Sequence, residues 1–252
     1  MELDKIDAFI RECLGEYWID DEYSRNGVQV EAGDDIERMA FAVDACQETI
    51  QAAREAGAQM LVVHHGLCWG AGIGRLDGLV ARRVGLLFRH GISLYGCHLP
   101  LDAHPVLGNN ATIARRLGLA VNGWFDESHG LSIGAVCPFQ APVDFAELAD
   151  KATRAVSPRT KAYDNSGGRV KCLGILSGSG DSAVRECAER GIDCLLTGEF
   201  RHAAFNEARE LGVSILACGH YDSEVFGVQE LMRHLHAKLG LDVVFVEAPT
   251  GL

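Results

Sequence analysis

Short apolar runs alternate with amphipathic segments along the whole chain. Residues 60–63 (Met-Leu-Val-Val) form an uninterrupted apolar run, which is typical of a strand covered on both faces of a sheet. The amphipathic segments at 47–56 and 79–90 have helical periodicity and stop at glycines, Gly57 and Gly91. This alternation of strands and helices predicts the α/β class of folds.

The same kinds of element continue through the second half of the sequence, where helices again stop at glycines. The predicted strands are residues 28–30, 39–43, 60–63, 92–96, 131–137, 170–176, 194–196, 214–217 and 243–246. The predicted helices are residues 47–56, 79–90, 111–117, 143–156, 182–190, 202–211 and 223–239.

Two stretches of the first half resemble stretches of the second half. Residues 53–64 lie over residues 187–198, and residues 91–98 lie over residues 212–220 with one residue of slack. The matched stretches are short, but the elements around them follow in a similar order. We therefore expect a duplicated fold with one lobe at residues 1–122 and a second at residues 123–252.

Composition narrows the classes of function. The formal net charge is −12 over 252 residues, which argues against coating a nucleic acid and against docking on an anionic membrane. No stretch approaches the ~18 consecutive apolar residues of a membrane span, and the charged N-terminus lacks the layout of a signal peptide. The nine cysteines are scattered, and no two have the C-x-x-C spacing. We expect a cytoplasmic chain with reduced, buried thiols rather than disulfides or a thiolate zinc site.

The candidate chemistry lies where predicted strands end. His64 and His65 end one predicted strand, His98 follows the next, and His220 follows a strand of the second half. In open α/β sheets, ligands bind beyond the carboxyl ends of the strands. We therefore expect these histidines to converge although they are far apart in sequence.

Two of these histidines have a carboxylate four residues later, since Asp102 follows His98 and Glu224 follows His220. If a helix begins at His220, that pair shares one face of it. Pro100 favours an extended backbone at the residue before it. We therefore expect a tight loop, not a helix, to present Asp102.

The adjacent pair His64-His65 bears on the number of metal ions. Neighbouring residues in a strand point to opposite faces, so two adjacent histidines would bind one ion only with strain. Two ions with carboxylates between them are geometrically easier, which suggests a dinuclear site. Histidine and carboxylate ligands suit two divalent ions of Zn, Fe, Mn or Ni better than Ca or Mg. Such ions could activate a bridging water, so the chemistry implied is hydrolysis.

Five strings of residues are similar to those of the NIF-three-like family, whose members are often described as GTP cyclohydrolase type 2 homologues. The strings span residues 26 to 224 and so cover most of the chain. The string at residues 98–105 is long and specific. They are NGVQV at 26–30, VHHGLCW at 63–69, HLPLDAHP at 98–105, GNN at 108–110 and GHY-x-x-E at 219–224.

The resemblance implies two intertwined, duplicated α/β lobes with mixed β-sheets, assembled as a homohexamer with metal sites facing its cavity. It implies that Glu224 bridges the two metal ions and that His98 is a nearby catalytic residue for proton transfer. The duplication alone ranks His98 equal to His220, and we follow the family pattern. The metal ligands implied by the family are His64, His65, Asp102, His220 and Glu224.

Four further residues are open to more than one interpretation. His104 precedes a proline and is expected to be a loop residue. Glu199 could line the cavity or cap a helix at the surface. We interpret Cys97 and Cys218 as small buried thiols rather than metal ligands.

The leading functional hypothesis is a metal-dependent hydrolase that acts on a nucleotide or related small molecule. The alternative is a non-catalytic metal carrier or regulatory metal-binding protein, because the sequence has no convincing phosphate loop and the surface is acidic. A weaker third hypothesis is an assembly that binds a protein partner in transcription. The negative net charge argues against direct binding of nucleic acid.

Overall fold

The computed structural model describes residues 1–19 and 23–252, which form two compact units. Unit 1 consists of residues 1–101 and 228–248, and unit 2 consists of residues 102–227 and 249–252. The chain thus leaves unit 1 for unit 2 and later returns. Among the helices of the described ranges, none is both long enough and apolar enough to cross a membrane.

Strands and helices alternate as the sequence pattern predicts. The strands are β1 (Gly27–Val30), β2 (Arg38–Asp44), β3 (Met60–His65), β4 (Ser93–Gly96), β5 (Gly123–Ser128), β6 (Leu131–Asp144), β7 (Lys161–Tyr163), β8 (Arg169–Ser179), β9 (Cys194–Glu199), β10 (Ser214–Ala217) and β11 (Asp242–Phe245). The helices are α1 (Leu3–Leu14), α2 (Gln47–Glu55), α3 (Gly78–His90), α4 (Leu99–Ala103), α5 (Asn109–Arg116), α6 (Phe145–Ala155), α7 (Val184–Glu189), α8 (His202–Leu211) and α9 (His220–Leu239).

Unit 1 is built on a mixed sheet with the strand order β1-β4-β3-β2-β11. Strands β4, β3, β2 and β11 are parallel, and β1 pairs with β4 in the antiparallel sense. Residues 60–64 of β3 are buried, with Leu61 and Val63 in one apolar cluster and Met60 and Val62 on the opposite face. This explains why the strand is an uninterrupted apolar run.

Unit 2 is built on a second mixed sheet with the order β5-β6-β8-β9-β10-β7. Strands β8, β9 and β10 are parallel, and the other pairings are antiparallel. One face of the sheet packs in a cluster with Ile113 of α5 and Leu148 of α6. The other face packs with Val184 of α7 and Ala208 of α8. The expected α/β class with two mixed sheets is therefore confirmed.

The two sheets repeat one strand order, β1-β4-β3-β2 in unit 1 and β7-β10-β9-β8 in unit 2. The registers agree as well, because Met60 of β3 lies opposite Ser93 of β4, and Cys194 of β9 lies opposite Ser214 of β10. These pairings match residue for residue the alignment on which the duplication was inferred.

Neither compact unit is a single continuous segment of the chain. The change of unit falls between residues 101 and 102, and residues 228–248 return to unit 1. The physical reason is strand pairing, because β11 adds in parallel to β2 at the edge of the unit 1 sheet.

Candidate metal centre

The carboxyl ends of β3 and β4 bring three imidazoles of unit 1 together. These strands are parallel neighbours, with Val63 opposite Gly96, so the residues that follow these positions meet at one edge of the sheet. His64, His65 and His98 each offer a ring nitrogen, and the three nitrogens lie within 4.8 Å of one another. The arrangement could hold a metal ion.

Hydrogen bonds at Nδ1 define which ring nitrogen carries the proton in two of these histidines. His64 Nδ1 lies 3.0 Å from the carbonyl oxygen of Cys97, and His65 Nδ1 lies 2.9 Å from Asp44 Oδ1. Because both partners are acceptors, each Nδ1 carries the proton, and in the neutral ring the lone pair is on Nε2. Metal-binding histidines have this arrangement, in which the second nitrogen donates to a carbonyl or carboxylate.

The loop after β3 is held against the site by the amide of Gln29. Its Oε1 accepts from the backbone N–H groups of Leu67 at 2.7 Å and Cys68 at 3.1 Å. A Cβ atom at Gly66 would lie 2.2 Å from the same oxygen. A side chain beside His65 would therefore push the Gln29 amide away from these backbone groups, so the glycine of the HHG string and the glutamine of the NGVQV string fit together in this fold.

Asn26 and Trp69 complete the surroundings of His98. Asn26 Oδ1 accepts from the backbone N–H of His98 at 2.8 Å. The Trp69 ring meets the His98 ring edge-on at 5.1 Å between centroids, and its Nε1 donates to the carbonyl of Gly66. These contacts fix the position of His98 at the end of β4.

In unit 2, a histidine and a carboxylate lie on the first turns of α9. The helix begins at His220, so His220 and Glu224 share one face, with Nε2 and Oε2 3.2 Å apart. His220 Nδ1 lies 2.7 Å from Glu199 Oε1. The hydrogen bond to Glu224 and the neighbouring charge of Glu199 outweigh burial and raise the pKa of His220 to about 9. Both ring nitrogens thus face oxygen acceptors.

Asp102 is buried in unit 2, and donors from two elements orient its carboxylate. Asn109 Nδ2 at the start of α5 and Ser177 Oγ on β8 both donate to Oδ1, at 2.9 and 3.2 Å. The neighbouring Asn110 accepts from the backbone N–H of Ser177 at 2.7 Å. The GNN string therefore supplies the amides that bind Asp102 and the strand beside it.

Two glycines allow β8 and β9 to approach α9. Gly178 has φ of +68°, and a Cβ atom there would lie 2.4 Å from Glu224 Oε1. A Cβ atom at Gly198 would lie 2.6 Å from Ser223 Oγ and 2.8 Å from the Cα atom of His220. A side chain at Gly198 would displace the first turn of α9, whereas a side chain at Gly178 would displace the carboxylate of Glu224.

One expectation about this site is wrong. Asp102 is presented by the helix α4, not by a loop. Pro100 lies in the first turn of that helix, where its missing N–H has no intrahelical partner to lose.

The residues left open by the sequence now have defined contacts. Glu199 Oε1 lies within hydrogen-bond distance of His220 Nδ1, and the rest of its side chain remains partly exposed. His104 Nδ1 accepts from the backbone N–H groups of Val106 and Leu107, which makes it a loop-ordering residue. Cys97 and Cys218 are fully buried, and burial raises the pKa of the Cys218 thiol to about 11.

Sequence reasoning missed Asp44, the partner of His65. Asp44 is the last residue of β2 and lies opposite His65 in the parallel register. The rule that functional side chains follow the carboxyl ends of strands applies to it equally. The polar residue at the end of that apolar run was therefore the available signal.

Comparison with known proteins agrees with this fold. A protein of Archaeoglobus fulgidus named GTP cyclohydrolase 1 type 2 homolog is 43% identical over 91% of each chain. The solved structure of protein ybgI, of unknown function, is 32% identical with a TM-score of 0.92, and TTHA1606 from Thermus thermophilus is 33% identical with a TM-score of 0.89. Each of these two matches covers 100% of this chain and 100% of the solved chain.

The family comparison confirms the resemblance inferred from the five strings. The family described as Duf34/NIF3 (NGG1p interacting factor 3) matches residues 1–250. The chain belongs to the Duf34/NIF3 family.

Proposed function

We propose that the chain binds two divalent metal ions and is a metal-dependent hydrolase of a nucleotide or related small molecule. The curated relatives named GTP cyclohydrolase 1 type 2 homolog support this class of substrate. The proposed ligands of the two divalent ions are His64, His65, Asp102, His220 and Glu224.

The observation that carries the proposal is the common bonding of three imidazoles. His64, His65 and His220 each direct Nδ1 toward a carbonyl or carboxylate oxygen at 2.7–3.0 Å. This is the bonding that orients imidazoles toward a metal ion through Nε2. The donor set of imidazoles and carboxylates fits Zn, Fe, Mn or Ni.

The charges of the side chains also fit a pair of cations. Asp102 and Glu224 are almost fully buried, with 5% and 3% exposure, and buried carboxylates require compensating positive charge or several hydrogen bonds. Bound metal ions would supply Lewis acidity that polarises the substrate and lowers the pKa of water. Within this centre, His98 holds or delivers a proton through its ring, which lies 4.8 Å from the ring of His64.

Substitutions separate metal binding from catalysis. We expect His65→Ala and Glu224→Gln to lose both bound metal and turnover, with the fold retained by circular dichroism. We expect His98→Gln to keep its metal and lose turnover. The assay is elemental analysis after anaerobic purification, followed by a hydrolysis screen on nucleotides with each metal. Full turnover by the metal-free protein would refute the proposal, and stable metal binding without any turnover would favour the metal carrier.

We also propose the homohexamer and the cytoplasmic location implied by the family resemblance. Light scattering coupled to size-exclusion chromatography tests the assembly, since a hexamer of 27.2 kDa chains is readily distinguished from a dimer. Fractionation of the source cells tests the location.

A further inference from the structure

Unit 2 contains a cavity of about 490 Å³ beside the first turn of α9. Glu199 and Ala217, the last residues of β9 and β10, line it. The edge strand β7 forms another wall, with Lys161 paired opposite Ala217. Ligands bind at this edge of α/β sheets, and the volume suits one small molecule.

Arg159 is fixed at this cavity by a largely buried carboxylate. Its Nη2 donates to both oxygens of Asp222 at 2.7 Å, and the side chain of Asp222 is 15% exposed. Ser157 Oγ donates to the same carboxylate. Both bonds of Arg159 use Nη2, and no described residue accepts from its Nε or Nη1. The guanidinium is therefore held in place with donors that a ligand can use.

Lys161 adds a second cation on the same wall. It lies on the same face of β7 as Tyr163, because alternate residues of a strand share a face. The Tyr163 ring packs edge-on against Phe205 at 5.3 Å between centroids. Lys161 is exposed and, among the residues that the structure describes, forms no ion pair. Glu199 also lines the cavity, but its carboxylate is bonded to His220.

We infer that this cavity binds an oxyanion group, phosphate or carboxylate, of a small-molecule substrate, with Arg159 and Lys161 as the binding cations. The inference rests on the proposed function, because a group bound here adjoins the helix turn that carries His220. A chain with a net charge of −12 repels anions at long range. Local cations are therefore required where an anionic substrate is bound.

Calorimetric titration with inorganic phosphate, and separately with acetate, tests the inference on the full chain. The metal-free protein isolates the cavity from the affinity of metal ions for phosphate, and the two anions distinguish a phosphate from a carboxylate subsite. We expect Lys161→Gln to weaken binding of the preferred anion by about tenfold, the loss of one charge-assisted hydrogen bond. Lys171→Gln is the matched control, because Lys171 is an exposed lysine of β8 outside the cavity.

Three results would overturn the inference: no binding of either anion, equal affinity of wild type and Lys161→Gln, or an equal loss in Lys171→Gln. Elemental analysis of zinc-loaded Lys161→Gln, which should retain the wild-type zinc content, separates the subsite from the metal centre. If hydrolysis is found, we expect this variant to raise KM with kcat little changed. If no substrate is hydrolysed but phosphate binding still depends on Lys161, the hydrolase proposal fails and the subsite stands.

Discussion

Replacing Gly178 by alanine tests whether the glycine of β8 controls the position of Glu224. The new methyl group would lie 2.4 Å from Glu224 Oε1, whereas ordinary van der Waals contact begins at 3.4 Å. The carboxylate must therefore move by about 1 Å, a displacement large enough to spoil a binding or catalytic geometry. Changes of groups that position metal ligands typically cost about 10–100-fold in metal affinity, and we expect a loss in this range.

The backbone contributes a separate effect on stability. Gly178 has φ of +68°, and a left-handed conformation costs a residue with a Cβ atom about 1–2 kcal/mol. For a chain of this size the expected loss is roughly 2–8 °C in Tm. Gly167→Ala is the matched control, because Gly167 has φ of +73° and nothing within 4 Å of the added Cβ atom.

Measuring zinc affinity and thermal unfolding in both variants separates the effect on Glu224 from the effect on backbone conformation. We expect similar decreases in Tm for both, and a loss of zinc affinity only in Gly178→Ala. Zinc affinity is measured by competition with a chelating dye, and unfolding by circular dichroism. If Gly178→Ala binds zinc as tightly as Gly167→Ala, then the contact with Glu224 does not control the site and the reasoning is refuted.

Three further predictions concern the surroundings of the proposed ligands. Glu199→Gln should weaken zinc binding about 10–100-fold. In the metal-free protein it should also lower the pKa of His220 below about 9, which NMR titration can follow. An unchanged pKa would contradict the contact between Glu199 and His220. Zinc affinity should rise with pH up to about 9, because the ion must displace a proton from His220, and calorimetry in buffers of different ionisation enthalpy should detect that proton; equal heats in all buffers would count against it. Asn109→Ala removes the hydrogen bonds to Asp102 and to the backbone N–H of Gly227. It should lower the free energy of unfolding, measured in urea, by about 1–3 kcal/mol for each buried group left unsatisfied. A variant as stable as the wild type would show that water replaces the amide without cost.

Local sequence pattern predicts the elements whose burial is continuous. The parallel strands β2, β3, β8, β9 and β10 were predicted because residues such as Val62 and Leu195 are buried among apolar neighbours on both sides. Strand β7 was missed because Lys161 and Ala162 are exposed and only the pairing with β10 defines the strand. Helix α4 was missed because Pro100 was weighed as a helix breaker without regard to its place in the first turn.

The candidate site was predictable in its titratable side chains but not in the groups that orient them. Strand ends identify His65 and His220, because this depends only on where an apolar run stops. Gln29 and Asn109 act through bonds to residues 38 and 118 positions away. Such long-range partners leave no periodic pattern, so their roles become visible only in the folded chain.

The return of the chain to unit 1 has a consequence for its synthesis. The ribosome must add about 144 residues between Leu101 and Phe245, the last residue of β11. At about 5–20 residues per second, this takes roughly 7–30 s. During that time β2 lacks the partner that covers its outer edge, and an open strand edge is a template for pairing with other chains. Nascent chains of this protein should therefore depend on chaperones until β11 has left the ribosomal exit tunnel.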